Sequence, residues 1–303
     1  MGSTATAGPE PALVVASYGR RYLLRFEADG SERAAVSRGK RTEACVGDIV
    51  AATRLGAEQA VIERIEPRRN LLERSDRYRS KALAANVDRA AVVIAGEPRY
   101  SEELLLRLML AIDAAGIALL VIANKTDLVQ AHARIVPRLE LLRALGHPVV
   151  EVAALAAPAD AVAALRPWLA GSLTLLLGES GMGKSSLVNA LVPGAEQATR
   201  SVSTALGTGR HTTTFSRLFE LDAAVAPDAS IIDSPGFQTF GLAHLSASQR
   251  VHAMTEFRPL LGRCRFHSCT HRQEPDCAIR AAAEAGEIDP LRYRLFTELH
   301  ERD

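Results

Sequence analysis

At 303 residues, 48% of them hydrophobic, the chain can form two or three globular units, and its net charge of +1 makes no global electrostatic case for a polyanionic partner. No apolar run approaches the roughly 18 residues that span a bilayer, and Met1 to Pro11 lacks the basic region and apolar core of a signal peptide. A soluble, cytoplasmic protein with a flexible tail over 1–11 is therefore expected, without membrane partners.

The stretch 12–80 carries short runs of β-formers, Leu13-Val14-Val15, Arg21 to Phe26, Gly47 to Val50 and Ala60-Val61-Ile62. Turn signals separate them at Tyr18-Gly19, Asp29-Gly30, Arg38-Gly39 and Leu55-Gly56, the pattern of a small β-barrel. Arg20, Arg21, Arg38, Lys40, Arg41, Arg68 and Arg69 gather here with Tyr18 and Tyr22 interleaved. This is either an RNA-binding face or, with Glu63, Glu66 and Glu73 mixed in, a solvated charged surface.

From about 86 to 245 strands alternate with helices. Ala90 to Ala95 reads as a buried strand, after which Ser101 caps a helix opening on Glu102 and Glu103; Ile117 to Ile122 is a second such strand. The alternation implies a parallel sheet with ligands at the carboxyl ends of its strands. The second strand ends in Asn124-Lys125-Thr126-Asp127, the guanine-reading signature of GTPases. A carboxylate at Asp127 can accept from guanine N1 and N2, a donor pair that adenine lacks, while Asn124 and Lys125 brace and stack the ring.

After another apolar run, Leu173 to Leu177, comes Gly178-Glu179-Ser180-Gly181-Met182-Gly183-Lys184-Ser185-Ser186, which satisfies the P-loop pattern G-x-x-x-x-G-K-[ST] in the required strand, loop and helix order. Its glycines let amides point at phosphate oxygens, Lys184 reaches the β and γ phosphates, and Ser185 ligates Mg²⁺. Downstream, Asp233-Ser234-Pro235-Gly236 matches D-x-x-G: Asp233 holds Mg²⁺ through water and the Gly236 amide senses the γ-phosphate. Between them Gly209 to Thr214 forms a polar loop in which Thr213, in preference to Thr214, is expected to close on Mg²⁺. The guanine motif precedes the P-loop, the reverse of Ras-like chains. A circularly permuted sheet builds the same site, because contacts depend on where strand ends meet.

Beyond 246, Ser246 caps a helix running toward Leu261, and Cys264, Cys269, His271 and Cys277 supply four soft ligands for a closed tetrahedral zinc site. Three clustered thiols in a chain of four cysteines argue for a metal rather than a disulfide framework. An alanine-rich helix follows, and Asp289-Pro290 starts a last helix whose Arg292, Tyr293, Arg294 and His300 suit an RNA or protein contact.

With Arg38-Gly39-Lys40-Arg41, Val46-Gly47-Asp48, Pro67-Arg68-Arg69-Asn70, Ala84 to Asp88 and the motifs above in this order, the chain resembles the RsgA (YjeQ) family of circularly permuted GTPases that depend on the small ribosomal subunit. The resemblance implies a multidomain protein: an N-terminal OB-fold β-barrel over 12–80, a circularly permuted α/β P-loop GTPase domain over 86–245 and a C-terminal α-helical zinc-binding domain over 246–303. It also implies GTP hydrolysis to GDP with Mg²⁺, one structural Zn²⁺, and action on the 30S subunit and its 16S rRNA late in maturation; nothing in the sequence suggests an obligate dimer, and a monomer is expected. Two departures stand out. Ala153-Ala154 occupies a place where the family often has Ser-Ala, and Phe237 stands where Ras-like proteins carry the water-positioning glutamine. The resemblance suggests His211 as the replacement group, with Gln238 a competitor. The alternative is a nucleotide-gated RNA-binding or scaffolding protein in which hydrolysis is incidental, and a permuted GTPase acting on another RNA or the large subunit also fits the pattern.

Overall fold

The computed structural model describes residues 8–39, 43–75, 79–195 and 215–302. Five strands, β1 (Glu10–Tyr18), β2 (Arg21–Phe26), β3 (Glu32–Ser37), β4 (Ile49–Leu55) and β5 (Gln59–Ile65), close into a barrel in the order β1-β2-β3-β5-β4 and back to β1. All its pairings are antiparallel except β3 with β5. Inward side chains, Val14, Tyr22, Leu24, Phe26, Val50 and Ile62 among them, alternate with outward polar ones and form a core of their own. Three features of the barrel go beyond the sequence pattern. β1 begins inside the stretch read as tail, because Glu10 pairs with Ala52 and its carboxylate binds the Arg54 guanidinium. β3, rich in alanine and charge, has no strand signal of its own and is recruited by β2 and β5 as the piece that closes the barrel. The barrel ends at Ile65, and β6 (Leu71–Ser75) and β7 (Ser80–Ala85) pair instead as a separate two-stranded hairpin.

A second group of strands, β8 (Arg89–Ala95), β9 (Ala118–Asn124), β10 (Val149–Glu151), β11 (Leu173–Leu177), β12 (Ser216–Glu220) and β13 (Ser230–Asp233), lies in the order β10-β9-β8-β11-β13-β12. It is parallel except for β12. The chain runs from β8 outward to β10, then returns to place β11 on the other side of β8. That reversal opens a crevice at the carboxyl ends of β8 and β11, the place where such sheets bind ligands. β12 also pairs with β1, so barrel and sheet are continuous.

Helix α1 (Glu102–Ala114) is capped by Ser101, whose hydroxyl accepts from Leu104 N, and is buried throughout Leu104 to Ile112. A helix apolar all round needs cover on both sides. It packs on β8 and β9 and is covered by α5 (Ala247–Ala253) and α7 (Pro290–Arg302) of the C-terminal segment. Helices α2 (Val129–Ala144), α3 (Pro158–Leu169) and α4 (Lys184–Leu191) complete the layers, and α6 (Ala278–Glu284) precedes α7. Arg292, expected on a contact surface, is buried in an ion pair with Glu256, and the Tyr293 hydroxyl donates to His271 O at 2.8 Å. Both side chains hold the C-terminal segment together rather than meeting a partner.

The cations of the barrel divide in the same way. Arg68 grips the buried Asp48 carboxylate with Nε at 2.7 Å and Nη2 at 2.8 Å, and Arg69 pairs with Asp88 at 2.8 Å. Asn70 bonds both polar backbone groups of Val87, Asn86 donates to Gly47 O at 2.9 Å, and Asp88 accepts from Leu173 N at 2.8 Å. The motifs at 46–48, 67–70 and 84–88 thus form one clasp between barrel and sheet. Tyr22 is fully buried and cannot stack on a base, Arg38 pairs with Glu63, and Lys40 and Arg41 lie outside the described residues. Arg68→Ala is expected to destabilise the fold by about 3 kcal/mol, because it strands a buried carboxylate. Arg38→Ala, which breaks an exposed pair, should change stability by no more than about 0.5 kcal/mol. Urea midpoints of the two variants test the contrast, and equal values would remove the clasp from the stability argument.

Candidate functional site

Residues 178–184 join β11 to α4 at the crevice. Gly178, Gly181 and Gly183 take φ values of +140°, +85° and +92°, and a Cβ on Gly178 or Gly183 would strike Val93 O or Asn124 Nδ2 respectively. Glycine is therefore required at these two positions by backbone angle and by close approach to β8 and β9. Lys184 is 7% exposed, and its ammonium donates to the carbonyls of Gly178 and Glu179, both at 2.8 Å. Burial lowers its pKa, opposed by Asp233 and Glu179. Asp233, at the end of β13, is pushed up to about 6 by burial, with Lys184 pulling the other way. Each charge is thus partly desolvated and stabilised by the other, an arrangement suited to phosphate and a divalent cation. Ser185 is exposed on the first turn of α4, Ser186 is half-buried beside it, and Ser180 is exposed in the loop.

Asn124 ends β9 almost fully buried. Its Nδ2 donates to Met182 O at 3.0 Å and its Oδ1 accepts from Ala154 N at 3.0 Å, tying the P-loop to the loop after β10. Ala153 O accepts from Ala157 N at 2.7 Å, so backbone bonds and Asn124 set that loop where the serine hydroxyl is missing. Lys125 sits at φ +63° with Nζ on Glu97 O at 3.0 Å, and Thr126 N donates to Val152 O at 3.2 Å. Asp127 follows in an exposed turn. On the other flank Ser234 Oγ donates to Leu176 O at 2.6 Å, Phe237 N donates to Gly178 O at 3.2 Å, and a Cβ on Gly236 would stand 2.9 Å from Ser180 N.

The structure therefore brings Asn124 to Asp127, Gly178 to Ser186, and Asp233 to Gly236 to one crevice. His211, Thr213 and Thr214 lie outside the described residues. Gln238 is exposed and lines a cavity of about 300 Å³ with Ser101, Glu103 and Arg107. Two contacts escaped the sequence reading. Glu179 accepts from Ser101 N, which ties the P-loop to α1, and Arg74 of β6 lies over the Phe237 ring, 5.4 Å from its centroid. Separations of 78 and 163 residues left no local pattern to find them by.

In the C-terminal segment Cys264, Cys269, His271 and Cys277 present ligand atoms all within 4.8 Å of one another. Cys264 Sγ is 3.9 Å from Cys277 Sγ and 3.5 Å from His271 Nδ1, and Cys277 Sγ is 3.6 Å from that nitrogen. Tetrahedral zinc with its usual bond lengths needs about 3.8 Å between sulfurs and about 3.6 Å between sulfur and nitrogen. The donor set is compatible with a zinc ion in both chemistry and spacing. All four cysteines are free thiols, and burial together with the neighbouring thiols pushes Cys269 up to about 12, a shift that a bound cation would reverse.

A model of the RsgA GTPase family matches residues 65–243. A small ribosomal subunit biogenesis GTPase RsgA of Paraburkholderia phytofirmans is 51% identical over 288 residues, covering 95% of this chain and 91% of that protein. Another, of Ralstonia pickettii, is 46% identical over 97% of this chain and 93% of its own length. Among solved structures, YjeQ from Thermotoga maritima aligns with a TM-score of 0.71 at 26% identity, covering 96% of this chain and 98% of that one. YloQ, described as a circularly permuted GTPase, shares the fold with a TM-score of 0.67 at 23% identity, over 100% and 99% of the two chains.

Proposed function

The chain belongs to the RsgA GTPase family and is a GTP hydrolase using Mg²⁺, and from that premise we propose that it hydrolyses GTP on the small ribosomal subunit during the subunit's late maturation. The observation that carries the site assignment is Asn124, whose amide joins the guanine motif to the P-loop and so fixes the base pocket against the phosphate cradle. Asp127 reads guanine N1 and N2, Lys125 lies along the ring, and residues 178–186 hold the phosphates through backbone amides and Lys184. Lys184 leaves its loop carbonyls for the β and γ phosphates as nucleotide enters. Ser185, Thr213 and, through water, Asp233 would hold Mg²⁺, which would supply positive charge against the charge that develops on the phosphates.

The phenyl ring at 237 cannot orient the attacking water, so we assign that task to His211 and expect slow turnover until docking on the subunit brings His211 to that water. A zinc ion on Cys264, Cys269, His271 and Cys277 would hold the C-terminal segment, which follows the D-x-x-G loop directly and covers α1. The protein acts in the cytoplasm as a monomer; among the described residues no helix is long and apolar enough to cross a membrane. Contact with 16S rRNA rests on fewer barrel cations than the composition suggested, since Arg68 and Arg69 are held in the clasp.

GTP hydrolysis measured with and without 30S subunits, with 50S subunits and ATP as controls, tests this reading. Stimulation of about a hundredfold by 30S alone is expected, the low end of what a positioned catalytic side chain contributes. Full-speed hydrolysis by the free protein, or equal stimulation by 50S, would overturn it.

A further inference from the structure

The chain beyond Gly236 is supported from outside the α/β sheet. Phe237 is 5% exposed, lies edge-on to Phe240 with ring centroids 5.7 Å apart, and carries the Arg74 guanidinium over its ring. The next residue of the same strand, Ser75, holds the following stretch in register. Ser75 N donates to Gly241 O at 3.0 Å, and Ala243 N donates to Ser75 O at 3.2 Å. Ser75 Oγ accepts from His244 N at 2.6 Å and shares a second hydrogen bond with His244 Nδ1 at 2.7 Å. Residues 237 and 241–244 are thus pinned to β6 at both ends of a short loop, whose middle is held by Arg107 Nη1 on Phe240 O at 3.2 Å.

A phenyl ring at 237 can neither donate to nor accept from water, but it offers a π face to a cation. Its backbone amide is on the P-loop carbonyl of Gly178 at 3.2 Å, so the residue that carries the ring also joins Gly236 to the P-loop. We propose that Arg74 is a positioning residue for GTP hydrolysis: through the Phe237 ring it holds the Gly236 amide on the γ-phosphate, making the β6–β7 hairpin a further support of that site beside the P-loop. The guanidinium lies over the ring, 5.4 Å from its centroid, and in this role it acts by holding the loop. The hairpin is continuous at its other end with Asn70, Asn86 and the barrel clasp. A displacement of the barrel therefore reaches Gly236 through residues 71–75.

This inference rests on the reading of Gly236 as the γ-phosphate contact, and the experiment separates the two. Steady-state kcat and KM for GTP, together with GTP and GDP affinities by nucleotide fluorescence, are measured for the full-length protein and for Arg74→Ala, Phe237→Leu, the double variant and Arg74→Lys. Each of the first two should lower kcat about tenfold, the size of one half-buried cation–π contact. GDP affinity should stay within about twofold, because GDP has no γ-phosphate for Gly236 to meet and an intact P-loop binds it. The double variant should be no slower than the slower single one, and Arg74→Lys should recover part of the rate. Losses that multiply to about a hundredfold in the double variant, or GDP affinity falling in step with kcat, would overturn the role of Arg74. Wild-type affinities for GTP and GDP unaffected by Gly236→Ala, with kcat also unchanged, would instead overturn the reading of Gly236.

Discussion

Asp127→Asn should lower GTP affinity by about a thousandfold or more while xanthosine triphosphate becomes the preferred nucleotide. A site built to accept two hydrogen bonds from a base discriminates steeply, because the wrong partner leaves buried or directed polar groups unmatched. Guanine offers N1–H and the 2-amino group to a carboxylate. Xanthine keeps N1–H but carries an oxygen at position 2, which a carboxamide can meet with its own NH₂ while its oxygen still accepts from N1. The substitution is clean in this structure: Asp127 is exposed, and among the described residues its side chain makes no hydrogen bond or ion pair, so only recognition changes. Asn124 offers the opposite case, because its amide holds Met182 and Ala154 and its removal would loosen both loops at once. Competition of GTP, XTP and ATP for the site, read by fluorescence, checks the exchange. An Asp127→Asn protein that still prefers GTP would show that the exposed carboxylate does not read the base.

The contrast between Asp127 and Asn124 also marks what the sequence made legible. P-loop, guanine motif, D-x-x-G and Cys/His cluster are local patterns in which a few residues of fixed type and spacing carry the chemistry, and each could be read without knowing its neighbours in space. The permuted order was legible because the strand ends need only meet, and the observed sheet order brings them together. What escaped was everything set by pairing across long separations. Arg68 and Arg69 looked like phosphate ligands because a cation reads the same whether it faces solvent or a buried Asp48. Tyr22 looked available because an alternating strand does not announce which of its faces points inward until the barrel closes. The clasp of Gly47, Asn70, Asn86 and Asp88 was quoted as family likeness without its function as a junction. Arg74 carries no local signal, since nothing near it in sequence names Phe237.

The zinc cluster yields the other large effect. Removing the metal, by chelation or by Cys277→Ser, should abolish protection of amides across α6 and α7 while the α/β sheet keeps its own. Cys277 serves twice: it is 2% exposed among the four ligands, and it caps α6, accepting from Arg280 N at 3.4 Å. The segment from 264 onward is too small to bury a core of its own, and its apolar side chains, Ile279, Phe296 and Leu299 among them, pack into the core of the α/β sheet. A structural zinc site contributes on the order of 10 kcal/mol to the folding of such a segment, far more than the surface pairs around it. The loss should be felt at α1, whose outer face is covered by α5 and α7 and whose end is tied to the C-terminal segment by Arg258 on Asp113. GDP affinity should fall less than tenfold, because no P-loop or guanine-motif contact named above comes from beyond residue 246. Hydrogen exchange with and without chelator, alongside metal analysis of the purified chain, reads both halves. One zinc per chain, with exchange in α6 and α7 collapsing on its removal, is the expected result. Full protection of those helices in metal-free protein would mean that the buried Arg292–Glu256 pair and the packing of Phe257 on Phe296 suffice to hold the segment, leaving the four ligands without a structural task. Cys45→Ala supplies the control: that thiol is buried beside Asp48 in the barrel, with its pKa driven up by desolvation, and its loss should leave the zinc stoichiometry at one.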